Sequence, residues 1–323
     1  MAALDWHYPL LALAGGILGA GVGALPSFIL CGIFFIIGTI IFLITGDQSF
    51  NMAVTWGPVI GPHTAFAGGI AAAAYAARRG RLESGRNILK PLYSLKSISV
   101  FLVGALFGLL GLLFTWVATL IPTGQGISWV NPIALSITLN GMLTRLLLGK
   151  TGLLGYRAEK QSLWIPAPEE NTLPWHMPPF TLLLVSLGLS LPTAFLALYL
   201  PRISGLLFGL ATVSLILIVF GFRIPVVLHI ILATQLVTTA TGNIGWGVIF
   251  GVFAALLADI FACLFLDRGD THIDPAALAL TVIYSLYPLL FYLGVFQLDY
   301  IWSVLAVAAV TTGGYVLLAG LKR

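Results

Sequence analysis

Eleven long apolar segments, separated by short polar ones, constrain this chain more than any other feature of its sequence. A helix needs about 17 to 25 mainly apolar residues to cross the hydrocarbon of a bilayer, and each segment reaches that range. The composition agrees, because 8% of the residues are charged against about 25% in soluble globular proteins. The sequence therefore predicts an all-α polytopic membrane protein whose first partner is the lipid bilayer.

The distribution of Lys and Arg predicts how these spans are oriented. The predicted spans are 8–24, 27–46, 57–78, 97–121, 131–149, 178–199, 203–221, 224–242, 244–266, 275–297 and 300–320. If the basic loop 78–96 is cytoplasmic, strict alternation places fourteen of the fifteen Lys and Arg residues on that side. Cytoplasmic loops are enriched in these residues, so we predict an outside N-terminus and an inside C-terminus, in the cytoplasmic membrane of a bacterium. Breaks at 24–28 and 200–204 leave open whether the spans beside them cross fully or re-enter.

The two halves of the chain resemble each other in sequence. Residues 104–143 align without a gap on residues 247–286, and ten positions are identical, several of them glycine or proline. Each half holds five spans, an odd number, so the halves must lie in opposite orientations. Transporters with inverted repeats bind substrates near the bilayer midplane, where the repeats meet. We predict a 5+5 inverted repeat plus one C-terminal helix, divided as repeat 1 at 1–150, a cytoplasmic linker at 151–177, repeat 2 at 178–297 and the extra span at 298–323.

A histidine lies at a matching position in each half. An offset of 166 residues pairs His63 in "GPHTAFAGG" with His229 in "IPVVLHIILATQ". Ionisable residues within spans usually face the bundle interior or a wet cavity and mark solute or ion pathways. We therefore predict that both imidazoles line one pathway. The alternative is that each imidazole donates to a backbone carbonyl of a neighbouring helix.

Other polar residues of the second half extend this prediction. Thr234, Gln235 and Thr238 supply hydroxyl and amide groups to the same pathway, or else join neighbouring helices through hydrogen bonds. Asp259 is the one acid well inside a predicted span. It is either a proton or cation site of a coupled transporter or a structural acceptor for a hydroxyl or amide.

Each repeat also has a span that begins with an Asx-Pro pair. Asn131 and Asp274 precede Pro132 and Pro275, which are placed at the first helical position. A side-chain oxygen at the cap accepts hydrogen bonds from free amides, and proline has no N–H to leave unpaired there. We interpret both residues as helix caps. The alternative is that the twin N-termini present their dipoles to a substrate.

The sequence shows no catalytic or metal-binding motif. It has no Gly-x-Ser-x-Gly elbow, no His-Glu-x-x-His pair and no P-loop, so we predict no enzyme and no cofactor. Cys31 and Cys263 lie 232 positions apart in apolar segments, which indicates neither a disulfide framework nor a metal site. The net charge of +4 follows from the topology and indicates no nucleic-acid partner.

The predicted architecture resembles the ammonium transporter and Rh family and, more loosely, the urea channels. The resemblance rests on the eleven spans, the five-plus-five inverted helices and the paired histidines. It implies a narrow apolar pore in which His63 and His229 contact a small solute, within a homo-oligomer that is a trimer by analogy. The two histidines lie on the third and eighth predicted spans, whereas that family carries them on the fifth and tenth.

We therefore predict a membrane transport protein with channel-like or facilitated permeation of a small polar solute or ion between the repeats. Hydrogen bonds from the two histidines would offset the desolvation of that solute. Two alternatives stay open. One is a proton-coupled secondary transporter that uses Asp259, and the other is a membrane scaffold or accessory subunit whose polar residues only join helices.

Overall fold

The computed structural model describes residues 6–124, 127–155, 166, 173–297 and 300–321. Helices form most of this part of the chain, with one short antiparallel hairpin. In chain order the elements are α1 (His7–Val22), α2 (Ala24–Thr45), α3 (Ala65–Arg78), α4 (Ile98–Thr119), β1 (Thr123–Gly124), β2 (Ile127–Ser128), α5 (Pro132–Leu148), α6 (Pro179–Tyr199), α7 (Pro201–Ser204), α8 (Leu206–Ser214), α9 (Ile216–Val219), α10 (Leu228–Thr241), α11 (Ile244–Phe261), α12 (Pro275–Tyr292) and α13 (Tyr300–Leu321). Most of the predicted linker 151–177 lies outside the described residues.

The all-α fold class is confirmed for the described residues, and some of the helices have the length that a membrane requires. Three shorter apolar helices are α1, α5 and α10. In the described part of the chain, six stretches are long and apolar enough to cross a bilayer: Ala24–Thr45, Ile98–Thr119, Pro179–Tyr199, Pro201–Val219, Ile244–Leu266 and Pro275–Tyr292. The first two predicted spans are separate continuous helices. The chain turns between them at Gly23, whose φ of 99° is favourable only for glycine.

The third predicted span, 57–78, is helical only in its second part. Pro58 and Pro62 interrupt the backbone ladder because proline lacks an N–H and restricts φ. The carbonyl of Gly61 accepts hydrogen bonds from the turn that follows it. Such irregular backbone is tolerated at membrane depth where protein surrounds it, and residues 61–64 are buried. His63 therefore lies ahead of α3 and not within a helix, contrary to the predicted span.

The seventh predicted span, 203–221, begins earlier and is interrupted. It consists of α7, α8 and α9, with Gly205 and Leu215 between them. A side chain on Gly205 would meet the Phe35 ring of α2 at 3.0 Å, so glycine permits the close approach there. The next helix, α10, begins at Leu228 and not at 224.

One end of the helix bundle gathers the basic segments. Arg78 Nη1 donates to the Leu147 carbonyl at 2.6 Å, and Arg86 Nη1 donates to the Asp267 carbonyl at 2.6 Å. These bonds hold the loop after α3 beside the end of α5 and the segment after α11. Arg145, fully buried, donates to the hydroxyl and carbonyl of Thr271 at 2.6 Å each.

The two halves use the same pairs of helix contacts. In the first half α1 packs on α3 and α4, α3 packs on α4 and α5, and α4 packs on α5. In the second half α6 packs on α10 and α11, α10 packs on α11 and α12, and α11 packs on α12. The last helix, α13, lies outside this pattern and packs on α11 and α6.

The two Asx-Pro helices, α5 and α12, run antiparallel along each other. The Asn131 side chain at the start of α5 lies close to Tyr284, in the second half of α12. Near the middle, the hydroxyls of Thr138 and Thr281 lie 3.3 Å apart. At the other end of α5, Arg145 reaches the residues just before α12. The order of these contacts is reversed along the two helices, which fixes their relative direction.

A second pair of helices, α2 and α8, also runs antiparallel. Helix α2 packs against α8, where Gly32 lies against Thr212 and Phe35 lies against Phe208 with ring centroids 5.3 Å apart. Later residues of α2 therefore meet earlier residues of α8. The junction between the halves thus includes two antiparallel helix pairs.

Candidate functional site: a cavity between the two halves

A cavity of about 310 Å³ lies between the two halves. Ligand sites in proteins typically occupy about 300 to 1,000 Å³ and are mainly apolar, with a few polar groups. This cavity has that character. From the first half its wall includes Leu25, Phe28, Met52, Trp56, Pro62, Phe66, Asn131, Ile133, Ala134 and Ile137. From the linker and the second half it includes Leu173, Trp175, Phe208, Leu215, Val226, Leu228, Leu232, Asp274, Ala276, Ala277, Leu280 and Tyr284.

The N-termini of α5 and α12 both lie on this wall. The Asn131 side chain accepts from the Ala134 amide at 2.9 Å, and the Asp274 carboxylate accepts from the Ala277 amide at 2.7 Å. Asn131 lies close to Tyr284, which is ten residues beyond Asp274 and so about 15 Å along α12. Both residues therefore cap helices and also line the cavity, one towards each end.

Few polar groups reach the cavity apart from these two caps. The other lining residues that carry a polar side-chain atom are Tyr284, Trp56 and Trp175. The Trp175 indole nitrogen is buried without a hydrogen-bond partner among the described residues. Phe28 and Phe66 line the cavity as well; the faces of aromatic rings attract cations, and the Asp274 carboxylate has the complementary charge.

The two predicted pathway histidines lie behind the cavity wall. His63 and His229 are both 3% exposed, and neither ring is among the lining residues of the described chain. Their neighbours Pro62 and Leu228 do line the cavity. The Nδ1 atom of each ring has no hydrogen-bond partner within the described residues. The pairing of the two histidines in one pathway stays a prediction.

The other predicted pathway residues of α10 make local or interhelical contacts. Thr234 donates to the Ile230 carbonyl at 2.8 Å within α10. Gln235 donates to the Ser204 hydroxyl at 3.0 Å and so joins α10 to α7. Thr238 packs directly against Gly247 of α11. In the described structure all three lie outside the cavity wall, so their role in a pathway also stays a prediction.

Asp259 is paired with a histidine that the sequence analysis did not select. The His176 Nδ1 lies 2.9 Å from an Asp259 oxygen, and its Nε2 lies 3.0 Å from an Asp267 oxygen. Burial alone would lower the pKa of His176, but the hydrogen bonds to both carboxylates outweigh burial and raise it to about 9. Asp259 lies near the end of α11 and Asp267 follows it by eight residues, and this closeness of two acids is the signal that could have indicated a shared partner.

The fold and this site define an integral, multi-pass membrane protein built from apolar helices, with a cavity between its two halves. Residues 1–172 and 167–305 match a family described as "Family of unknown function (DUF7973)". The chain belongs to that family. Neither a curated protein nor a solved structure matches it. The comparisons thus show no link to the ammonium transporter and Rh family or to the urea channels.

Proposed function

We propose that this protein transports a small solute through the cavity between its two halves. The proposed solute is largely apolar and carries one cationic group. The observation that carries the proposal is the arrangement of α5 and α12, which run antiparallel along one cavity with a capped N-terminus towards each end. Transporters built from inverted repeats place their substrate sites between the repeats, near the bilayer midplane.

Two observations support a duplication with inverted topology. The two halves contain the same set of helix contacts. Thr138 and Thr281, which the sequence alignment pairs at an offset of 143 residues, touch each other where α5 crosses α12. Residues on a two-fold axis contact their own counterparts, so this contact marks the axis that would relate the halves.

The proposed mechanism is a rocking motion of one half against the other. The antiparallel pairs α2 with α8 and α5 with α12 form the junction, and motion there would open first one end of the cavity and then the other. The proposed solute binds with its apolar part against the aromatic wall and its cation near Asp274. His63 and His229 stand behind the wall and position Pro62 and Leu228, which contact the solute. The chain performs no chemistry on the solute, and no cofactor takes part.

The test uses purified protein in liposomes and two membrane-impermeant probes with the same ring and opposite permanent charges. These are benzyltrimethylammonium and benzenesulfonate, with urea as a small polar neutral solute. We expect saturable flux of the cation that exceeds flux of the sulfonate at least tenfold. Asp274→Asn, which keeps the cap oxygen and removes the charge, should abolish most of this preference. Flux of urea alone would favour the channel hypothesis, and no flux of any probe by folded protein would favour the scaffold hypothesis.

A matched pair of variants tests the route. Ala134 and Ala277 are aligned positions of the two repeats and both line the cavity, so Ala134→Phe and Ala277→Phe fill it from opposite halves. We expect at least a tenfold loss of flux in each. Leu184→Phe on α6, where the side chain is 54% exposed to the surroundings, is the control and should keep wild-type flux. Wild-type flux in both cavity variants, with the chain folded, would exclude this cavity as the route.

A further inference from the structure

The cluster around His176 has the geometry of a metal site, although the ligands come from distant parts of the sequence. His176 precedes α6, Asp259 lies near the end of α11, and Cys263 lies one turn further along. One potential ligand atom from each residue lies within 4.8 Å of the other two. Asp259 is 2% and Cys263 is 1% exposed, whereas the His176 side chain is 22% exposed and leaves the cluster open on one side.

We propose that His176 Nδ1, Asp259 and Cys263 bind a divalent transition-metal ion of the zinc class. Imidazole nitrogen, carboxylate oxygen and thiolate sulfur are the ligands that zinc takes in proteins. The thiolate disfavours magnesium and calcium, which prefer oxygen ligands. Three protein ligands with an open side leave a fourth position for water or another ligand.

Asp267 has the position of an orienting residue for this site. Its carboxylate lies 3.0 Å from His176 Nε2, on the opposite side of the ring from Asp259. Histidines that bind metals usually donate their other ring N–H to a carboxylate or carbonyl, which fixes the tautomer and the ring orientation. The Asp267 backbone is itself held by Arg86, so the orienting carboxylate is supported by the loop after α3.

The charges of the cluster also suit a divalent ion. Both ring nitrogens of His176 lie within hydrogen-bond distance of carboxylates, so a doubly protonated imidazole would donate to both acids in the absence of metal. A divalent ion that replaces the Nδ1 proton and the Cys263 thiol proton leaves the total charge unchanged. The two buried carboxylates therefore keep a positive partner in both states. This inference is independent of the proposed transport function, because it concerns a different group of residues.

The experiment is a cobalt titration of tag-free, chelator-stripped protein in detergent. We expect one Co²⁺ per chain and a near-ultraviolet thiolate-to-cobalt charge-transfer band, which zinc then abolishes by displacement. Cys263→Ser should lose the band, and Cys31→Ser, the matched control with the other buried cysteine, should keep it. Asp267→Asn should keep the band but weaken binding about 10- to 100-fold.

The elution profile of each variant in size-exclusion chromatography shows whether it is folded. Absence of the band in wild-type protein would overturn the proposal. Persistence of the band in folded Cys263→Ser would do the same, and so would its loss in folded Cys31→Ser. None of these results depends on solute flux, so failure of the metal site and failure of the transport proposal are distinguishable.

Discussion

The substitution Gly111→Ala tests whether the irregular segment before α3 is held by direct contact with α4. A methyl group at Gly111 would lie 1.6 Å from the His63 carbonyl oxygen and 2.7 Å from its carbon. Carbon–oxygen contacts are normally no closer than about 3.3 Å, so this carbonyl would have to move by roughly 1.7 Å. Pro62, the preceding residue, lines the cavity and would move with it.

The expected change in the free energy of unfolding is the cost of overpacking less the gain in helix propensity. Adding a methyl group to a tightly packed interior costs about 1–3 kcal/mol, and this contact, made to backbone, lies at the upper end. Alanine gains up to about 1 kcal/mol over glycine in a helix. We expect a net loss of about 2 kcal/mol in the free energy of unfolding. Ala254, which the repeat alignment pairs with Gly111, is already alanine, so the two halves differ at this position.

The assay is reversible unfolding in mixed detergent and dodecyl sulfate micelles, with liposome flux measured in parallel. Gly188→Ala on α6 is the matched control, because a side chain there meets no atom within 4 Å, and it should leave stability equal or slightly raised. Gly111→Ala should lose both stability and flux. If its unfolding free energy equals that of Gly188→Ala, direct contact with α4 does not hold the segment around His63 in place.

Three further predictions use the same unfolding assay. Arg145→Gln should lower the free energy of unfolding by about 3 kcal/mol, because the removal of a buried charged donor leaves its acceptors unpaired; a loss below 1 kcal/mol would contradict the buried network with Thr271. Asn131→Ala should cost about 1 kcal/mol through loss of the N-cap, whereas Asn131→Asp keeps the cap and should cost little; equal losses would show that capping is not the cause. A double-mutant cycle of Thr138→Val and Thr281→Val should give a coupling of about 0.6 kcal/mol, the average for interhelical hydrogen bonds in a membrane; a coupling of zero would remove this contact from the junction.

The sequence predicted most of the helical architecture because the signals for it are local. Long apolar runs gave the spans, and the Asx-Pro pairs gave the starts of α5 and α12 to the residue, since capping involves only the first turn of a helix. The interruption of the third span was also encoded locally, in Pro58 and Pro62, although the hydropathy of that segment concealed it. Hydropathy reports whether a segment is apolar, and it does not report whether the backbone is helical.

The site required the tertiary structure, because its residues meet only when the helices pack. The alignment paired Asn131 with Asp274, but only the antiparallel contact of α5 with α12 places both on one cavity wall. His63 and His229 matched in sequence, yet their position behind that wall depends on the path of the backbone before α3 and on how α10 is rotated. His176 meets Asp259 across 83 positions, and no periodicity links a segment ahead of one helix to the end of another. The sequence by itself thus determined which segments are apolar and helical and where α5 and α12 are capped, since these depend on nearest neighbours, while helix packing alone decided which side chains share a cavity or a candidate ion site.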